Sequence, residues 1–441
     1  MSPPAEPGAY LMLSQAFNVT IPLQLISATD ELKFGLHARE LRNSHHEGEI
    51  DASPINPIAL SQLQLGNPVI YYEDNYAIGG IPNYDELRGI YNDPALVTYS
   101  SDPAADASNT QSGRENVYAA YVQYSTTLFG KLGLLAGVRA EQTHAKYNGN
   151  IYNNDNDTNT PASQSNSYTN YFPTVELRYP FRNDLIGRFS FSSAIARPGF
   201  DQITPGAQVS VADQTVSVGN PDLNPTTGDN YDLSLAWYPA PDAIASVDLF
   251  DKEFSNYILP SVSFTDNYPD PALAGELVQV TTYNNGTGRA YGAEAQFSDK
   301  FSFLPAPFDG LGASANVTWV HSRATVANSG FNGQLPSTSP VTGNVAVFYE
   351  KGPAEIRLAA DYVSQNLFGF GDTAAQNIYS RRRLTLDLGT QYQLEKWATV
   401  YFTAKNLLNT PLEFTEGKSD TRPIQREFYG ITWAAGVRFL L

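Results

Sequence analysis

Apolar and polar residues alternate one by one along much of this chain. In Lys131–Thr143 one set is Leu132, Leu134, Ala136, Val138 and Ala140. The other is Lys131, Gly133, Gly137, Arg139, Glu141 and Thr143, interrupted by Leu135. Tyr231, Leu233, Leu235 and Trp237 alternate with Asp232, Ser234 and Ala236, and Leu384, Leu386, Leu388 and Tyr392 with Arg383, Thr385, Asp387, Gly389 and Gln391. The final stretch sets Tyr429, Ile431, Trp433, Ala435, Val437 and Phe439 against Gly430, Thr432, Ala434, Gly436 and Arg438. Successive side chains of a strand point to opposite faces, so period two marks strands with one apolar and one polar side. The pattern predicts about fifteen strands, near 9–23, 29–43, 114–129, 131–147, 167–180, 183–195, 228–240, 242–259, 277–302, 311–326, 339–350, 353–367, 378–393, 396–408 and 426–441.

These stretches are long. Ordinary strands average about 5–6 residues, whereas a tilted membrane strand needs about 9–11. The connections alternate between tight ones, such as Phe129–Lys131, Pro239–Asp242 and Glu350–Pro353, and long polar ones near 46–113, 149–166, 196–227, 261–275 and 409–425. Short turns at one end and long loops at the other characterise a transmembrane β-barrel, as do aromatics near strand ends such as Tyr118, Tyr179, Trp237, Trp319 and Trp433.

Composition narrows the picture further. Only 16% of residues are charged, Tyr numbers 27, and there is no Cys. The last point excludes disulfides, thiolate metal sites and Cys nucleophiles. A net charge of −18 argues against nucleic acid as a partner. No run of about 18 apolar residues is present, so no transmembrane helix is expected. The first residues, Met1–Gly8, have neither a basic nor an apolar region and do not read as a secretory signal.

Several stretches carry a resemblance. Asn116–Gln123 with Leu134–Glu141, Phe189–Phe200 containing Arg197 before Pro198, Gly219–Pro225 followed by Tyr231–Leu235, Asn285–Glu294, Asp309–Asn316 and Lys405–Asn409 occur in order before the closing strand from Tyr429. In residues and spacing they resemble the C-terminal barrel of TonB-dependent outer-membrane receptors. Residues 1–113 match only loosely, through Leu32–Arg39.

The resemblance implies an all-β, antiparallel transmembrane barrel over 1–441, with 46–113 as a large extracellular loop. It implies an outer-membrane location, contact with lipid, and energised uptake of a small nutrient such as a siderophore, cobalamin or carbohydrate. The family also carries a signal peptide, a segment contacting the TonB complex, and a plug domain before 22 strands. None of these three is recognised here, and about fifteen strands are counted. The expectation is therefore a monomeric, N-terminally truncated barrel that does not transport by itself. The alternatives are a passive porin-like barrel or a non-functional gene fragment. An odd number of strands cannot close in a fully antiparallel way.

Arg139, Glu141, Glu294, Gln296, Arg383 and Asp387 fall on polar strand faces and are candidates to line the lumen, where charge is solvated. Arg197, Gly219, Asn220, Pro221 and Pro225 belong to the family-like loop, and the Gly/Asn/Pro cluster suits a rigid turn. The chain offers little else chemically. His45 and His46 precede Glu47 and Glu49, donor types for a metal ion, but read better as an exposed strand tip. Asn153–Asn159 is similar to a Ca²⁺ loop but lacks its sixth-position glycine and closing glutamate. No nucleophile motif or phosphate-cradling loop occurs. Neither an enzyme nor a cofactor is expected. The 46–113 segment is acidic and tyrosine-rich, a composition that suits carbohydrate or cationic ligands and equally keeps a surface soluble.

Overall fold

A computed structural model describes residues 9–46, 50–58, 63, 65–71, 76–101, 103, 106–107, 110–153, 158–211, 213–268, 273–326, 332–371 and 373–440. Glu47, Glu49, Asn154–Asp157, Glu73, Asp74 and Asp102, on which parts of the metal, calcium and acidic-loop readings rest, lie outside them.

One large sheet dominates. It contains fifteen long strands: β1 (Ala9–Leu23), β2 (Asp30–His45), β3 (Gln111–Leu128), β4 (Leu132–Asn153), β5 (Thr158–Arg182), β6 (Leu185–Ala196), β7 (Thr226–Trp237), β8 (Ile244–Thr265), β9 (Val278–Lys300), β10 (Leu311–Val326), β11 (Val341–Lys351), β12 (Ala354–Val363), β13 (Arg383–Glu395), β14 (Ala398–Lys405) and β15 (Thr432–Phe439). Each pairs antiparallel with the next in sequence. Among the described residues, β1 is paired only with β2 and β15 only with β14.

Every predicted strand is present, but several boundaries move. Residues 149–153 and 158–166 extend β4 and β5 as paired strands rather than a loop, and β8 reaches Thr265. These tips have polar residues on both faces, so hydropathy hides them, while backbone pairing runs on (Asn153 faces Thr158). The strand expected at 378–393 splits into Ile378–Ser380 and β13. The 46–113 segment holds an antiparallel strand pair, Ile50–Pro54 with Val97–Ser101, that encloses a hairpin, Leu65–Tyr71 with Tyr76–Pro82. It also holds helix α1 (Tyr84–Tyr91). Asn83 starts that helix because its Oδ1 accepts from the Asp85 N–H at 2.9 Å, replacing a partner the first turn lacks.

The alternation sorts side chains cleanly. On one face Leu233 is 53% exposed, Val247 52%, Val345 57% and Trp433 59%. Register keeps them together: Leu233 opposes Phe189 and Leu249, and Val247 opposes Leu235 and Ala295. A continuous apolar face of this size would aggregate in water, whereas hydrocarbon accepts it without penalty. The other face carries Asn316, Asp248, Glu294, Arg357 and Thr385, with glycines where strands bend closely. At Gly292 a Cβ would lie 2.1 Å from the Trp319 carbonyl oxygen.

The two ends differ. At the turn end, short connections are pinned by carboxylates. Asp30 accepts from the backbone N–H groups of Leu25 (2.8 Å), Ile26 (2.6 Å) and Ser27 (3.0 Å). Asp184 accepts from the Trp237 indole N–H at 3.0 Å. That bond, aided by Arg182 and opposed by partial burial, holds the Asp184 carboxyl below its ordinary value. At the loop end, connections fold back on one another. The hairpin Ala207–Ser210 with Thr215–Val218 pairs in parallel with the β4 tip at Ile151–Asn153 and with the β9 base at Gln279–Thr281. Two apolar clusters fill the space beneath: Ala145, Tyr147, Ile203 and Leu223, and Val209, Val216, Leu273 and Val278. A separate sheet joins Asn366–Gly369, Ile378–Ser380, Leu412–Glu416 and Pro423–Glu427. We call this loop-end assembly the crown.

Candidate functional site

The polar face and the crown meet at Arg197, the first residue after β6. Its guanidinium donates to Glu141 Oε2 at 2.8 Å and to Thr143 Oγ1 at 2.9 Å, both on β4. Glu141 Oε1 also accepts from Arg139 Nε at 2.8 Å. Arg139 reaches His37 Nδ1 at 3.3 Å, and His37 Nε2 meets Ser14 Oγ at 2.8 Å. A polar chain thus runs along the wall from β1 through β2 and β4 to the start of the crown. Its central pair is mostly shielded, with 12% of the Glu141 side chain exposed and 15% of Arg197. Charges held that far from water require this density of partners. Beside them the Tyr147 hydroxyl donates to Glu115 Oε1 at 2.7 Å, behind the apolar cluster.

The family-like loop is built as a rigid unit. Gly219 is obligatory, because a Cβ there would sit 2.1 Å from the Thr204 carbonyl oxygen. The Gly219 N–H donates to the Gly206 carbonyl at 3.0 Å. The Asn220 side chain donates to the Tyr283 carbonyl at 2.8 Å, and its backbone N–H to the Gln202 carbonyl at 2.8 Å. The Pro221 carbonyl accepts from Asn166 at 3.0 Å. Asn285 clamps Asn224 from both sides, accepting its N–H at 2.8 Å and donating to its carbonyl at 3.0 Å. Leu223 is 3% exposed within the cluster, and Pro225 leads into β7. The loop therefore bridges β5 and β9 over the polar face.

The remaining candidates lie apart from this centre. Glu294 and Gln296 are on the polar face of β9, with Glu294 opposite Asp248 and Thr318. Asp387 accepts the Asn406 backbone N–H at 2.9 Å, which caps the end of β14. Arg383, exposed, begins β13 opposite Val363. The structure brings Arg139, Glu141 and Arg197 into one network and does not bring Glu294, Gln296, Arg383 or Asp387 to it. His46 meets Thr110 at 2.7 Å, and among the described residues no group of His, Asp or Glu is arranged to hold a metal.

A second feature escaped the sequence reading. Between the β8 tip and the small crown sheet lies a cavity of about 800 Å³, lined by Leu367, Phe370, Tyr379, Glu416, Lys418 and Arg422 among others. Arg422 donates to the Ala375 carbonyl at 2.6 Å and lies 3.5 Å from Glu416. These residues come from two loops separated by more than thirty positions, so no local pattern announces them.

A family model described as TonB dependent receptor-like, beta-barrel, matches residues 40–407. This chain belongs to the TonB-dependent receptor family. No curated protein matches it. Solved structures with the same fold include the copper transporter OprC (TM-score 0.62, 13% identity, 98% of this chain and 56% of that one). The ferric-catecholate import receptor Fiu from K12 E. coli is similar at TM-score 0.63 and 14% identity, over 98% of this chain and 55% of that one. The pyoverdine outer membrane receptor FpvA from Pseudomonas aeruginosa PAO1 gives 0.59 and 14%, over 98% and 54%. The chain thus spans about 55% of the length of these receptors.

Proposed function

We propose that this chain forms the greater part of the wall and crown of an outer-membrane receptor for a small anionic metal chelate. The apolar face meets lipid, the polar face lines the lumen, and the crown faces outward. The observation that carries the ligand reading is the 800 Å³ crown cavity. It is large enough for a compact ligand and pairs the aromatic rings of Phe370 and Tyr379 with the cations of Lys418 and Arg422. A chelate with carboxylate or catecholate arms offers charge for the guanidinium and flat surface for the rings. The related receptors named above handle ferric chelates and copper, which agrees with this class. The Arg139–Glu141–Arg197 chain holds the 197–225 loop against the wall, and Glu294, Gln296, Arg383 and Asp387 give the lumen a wet surface. Energised uptake through the TonB complex belongs to the whole receptor.

The test is binding to the purified chain in detergent, read by quenching of its intrinsic tyrosine and tryptophan fluorescence. Anionic ferric chelates should bind saturably, and the Lys418→Gln/Arg422→Gln variant should weaken them about tenfold or more by removing charge-assisted contacts. Saturable binding of a neutral oligosaccharide, with no response to any chelate, would overturn the ligand class.

A further inference from the structure

The outer face of β1–β5 carries two features that the uptake reading does not use. The first is an apolar groove of about 680 Å³. Its floor is made of small side chains, Ala120 and Ala140, which oppose each other across β3 and β4. Phe17 on β1 and Leu36 on β2 line one side, in register with the floor and strongly exposed. Ala38 and Tyr118 form its upper end. On β6–β8 the same face instead sets bulky residues side by side, Phe189, Leu233 and Leu249.

The second feature lies directly above, four residues further along each strand. Arg42 opposes Arg114, and Arg114 opposes Lys146, so three cations from adjacent strands stand side by side on the outer face. The distance from Ala38 and Tyr118 is about 14 Å along the strands, or about 10 Å along the barrel axis once tilt is included. Like charges directly across neighbouring strands repel. Among the described residues one carboxylate offsets them: Glu40 accepts from Arg42 and lies 3.0 Å from Arg114. Three cations against one carboxylate leave a local excess of positive charge in a chain whose net charge is −18. Arg42 and Arg114 are each more than half exposed.

We propose that this surface is a binding site for a phosphorylated, multiply acylated glycolipid of the outer leaflet, with an acyl chain in the Ala120–Ala140 groove and phosphate on the Arg42–Arg114–Lys146 row. The chemistry matches at both ends. A shallow lane of small residues takes a hydrocarbon chain edge-on, and a row of cations at head-group height takes phosphate. The three cations span two inter-strand spacings, about 10 Å, which is room for a head group with two phosphates. Lipid fixed there would stiffen the strands that carry Glu141 and Arg139 on their opposite face.

The site rests on the outer-membrane reading, and its test separates the two. The full chain is folded in detergent micelles, checked for heat-modifiable migration, and mixed with a bis-phosphorylated, multiply acylated disaccharide glycolipid. Native mass spectrometry then reads retained lipid. The same glycolipid with its phosphates removed is the comparison. One phosphorylated lipid per chain is expected, with retention falling about fivefold for each cation replaced in Arg42→Gln, Arg114→Gln and Lys146→Gln, at roughly 1 kcal/mol per basic side chain. Ala120→Trp, which fills the groove, should lower retention with the cations intact. Arg289→Gln/Arg323→Gln, on the same face but distant strands, should leave it unchanged. Equal retention of the dephosphorylated lipid, or an unaltered triple variant that still migrates as folded, would overturn the proposal. Absence of a heat-modifiable form in the unsubstituted chain would overturn the outer-membrane reading and the lipid site with it.

Discussion

The wall and the crown use the same residue types in opposite ways. Along the wall, Leu233, Val247, Val345 and Trp433 point away from the protein, while Ala119, Ala236, Ala346 and Ala404 are among the residues buried there. In the crown, Ile203, Leu223, Leu273, Val216 and Val278 are turned inward and are 3% exposed or less. The wall holds itself by strand ladders between consecutive segments, the crown by side chains and parallel pairings between distant ones. A chain that is inside-out at one level and conventionally packed at another suits two solvents, which is the proposed placement in an outer membrane. Hydrocarbon removes the reason to bury apolar groups, and water restores it.

This contrast predicts effects that differ by region. The largest belongs to the crown. Leu273 is wholly buried against Val209, Val216 and Val278. Leu273→Ala should cost about 2–5 kcal/mol of local stability, the range for an interior cavity. Hydrogen exchange should quicken at 207–218 and stay unchanged at 231–237. Exchange rising equally in both would mean that crown and wall are one cooperative unit.

Next comes the lipid face. Val247→Arg should cost about 2–4 kcal/mol in denaturant titrations of the chain folding into vesicles, whereas Asn316→Lys on the polar face should change little. Equal penalties would erase the distinction between the faces. At the junction, Glu141→Gln leaves Arg197 with a weakened partner set and should cost about 1–3 kcal/mol, discounted because both side chains retain some exposure. Its readout is faster proteolysis of the 197–225 segment with the wall still protected.

The smallest effect is at the turn end. Asp309 is held below its ordinary value by its hydrogen bond from Lys351, against the opposing pull of partial burial. A carboxyl depressed on folding contributes stability above its unfolded value, about pH 4, and loses it as pH falls through the lower folded value. A slight acid-limited loosening of the 308–310 turn is expected, absent in Asp309→Asn. Both side chains are more than a third exposed, so solvent screens the pair and the effect is small.

The wall was legible because its information is local. Two-residue periodicity survives in any window, and the positions of all fifteen long strands follow from it. The crown was not legible, because its contacts are not local. Ala207–Ser210 joins Ile151–Asn153 across more than fifty residues, and no spacing in either segment says so. The strand tips at 149–153 and 158–166 were hidden for a different reason. In water both faces are polar, and alternation disappears while hydrogen bonding continues. Asn83, Asp85 and Glu86 did carry a helix start that the acidic character of the segment masked. Arg139 and Glu141 could be placed on a face from sequence, but their link to Arg197 and His37 needed the register. The cation row likewise needed three ladders to align residues 42, 114 and 146.

The central claim is that the apolar face of the wall meets hydrocarbon. The absence of native cysteine gives a clean background for single-site labels. Cysteine introduced one position at a time from Asn230 to Trp237, tagged with a small fluorophore and reconstituted in bilayers with brominated lipid tails, measures it directly. Strong quenching at Tyr231→Cys, Leu233→Cys, Leu235→Cys and Trp237→Cys, with weak quenching at Asp232→Cys and Ser234→Cys, is the predicted result. Uniform quenching, or none on either face, would contradict the account.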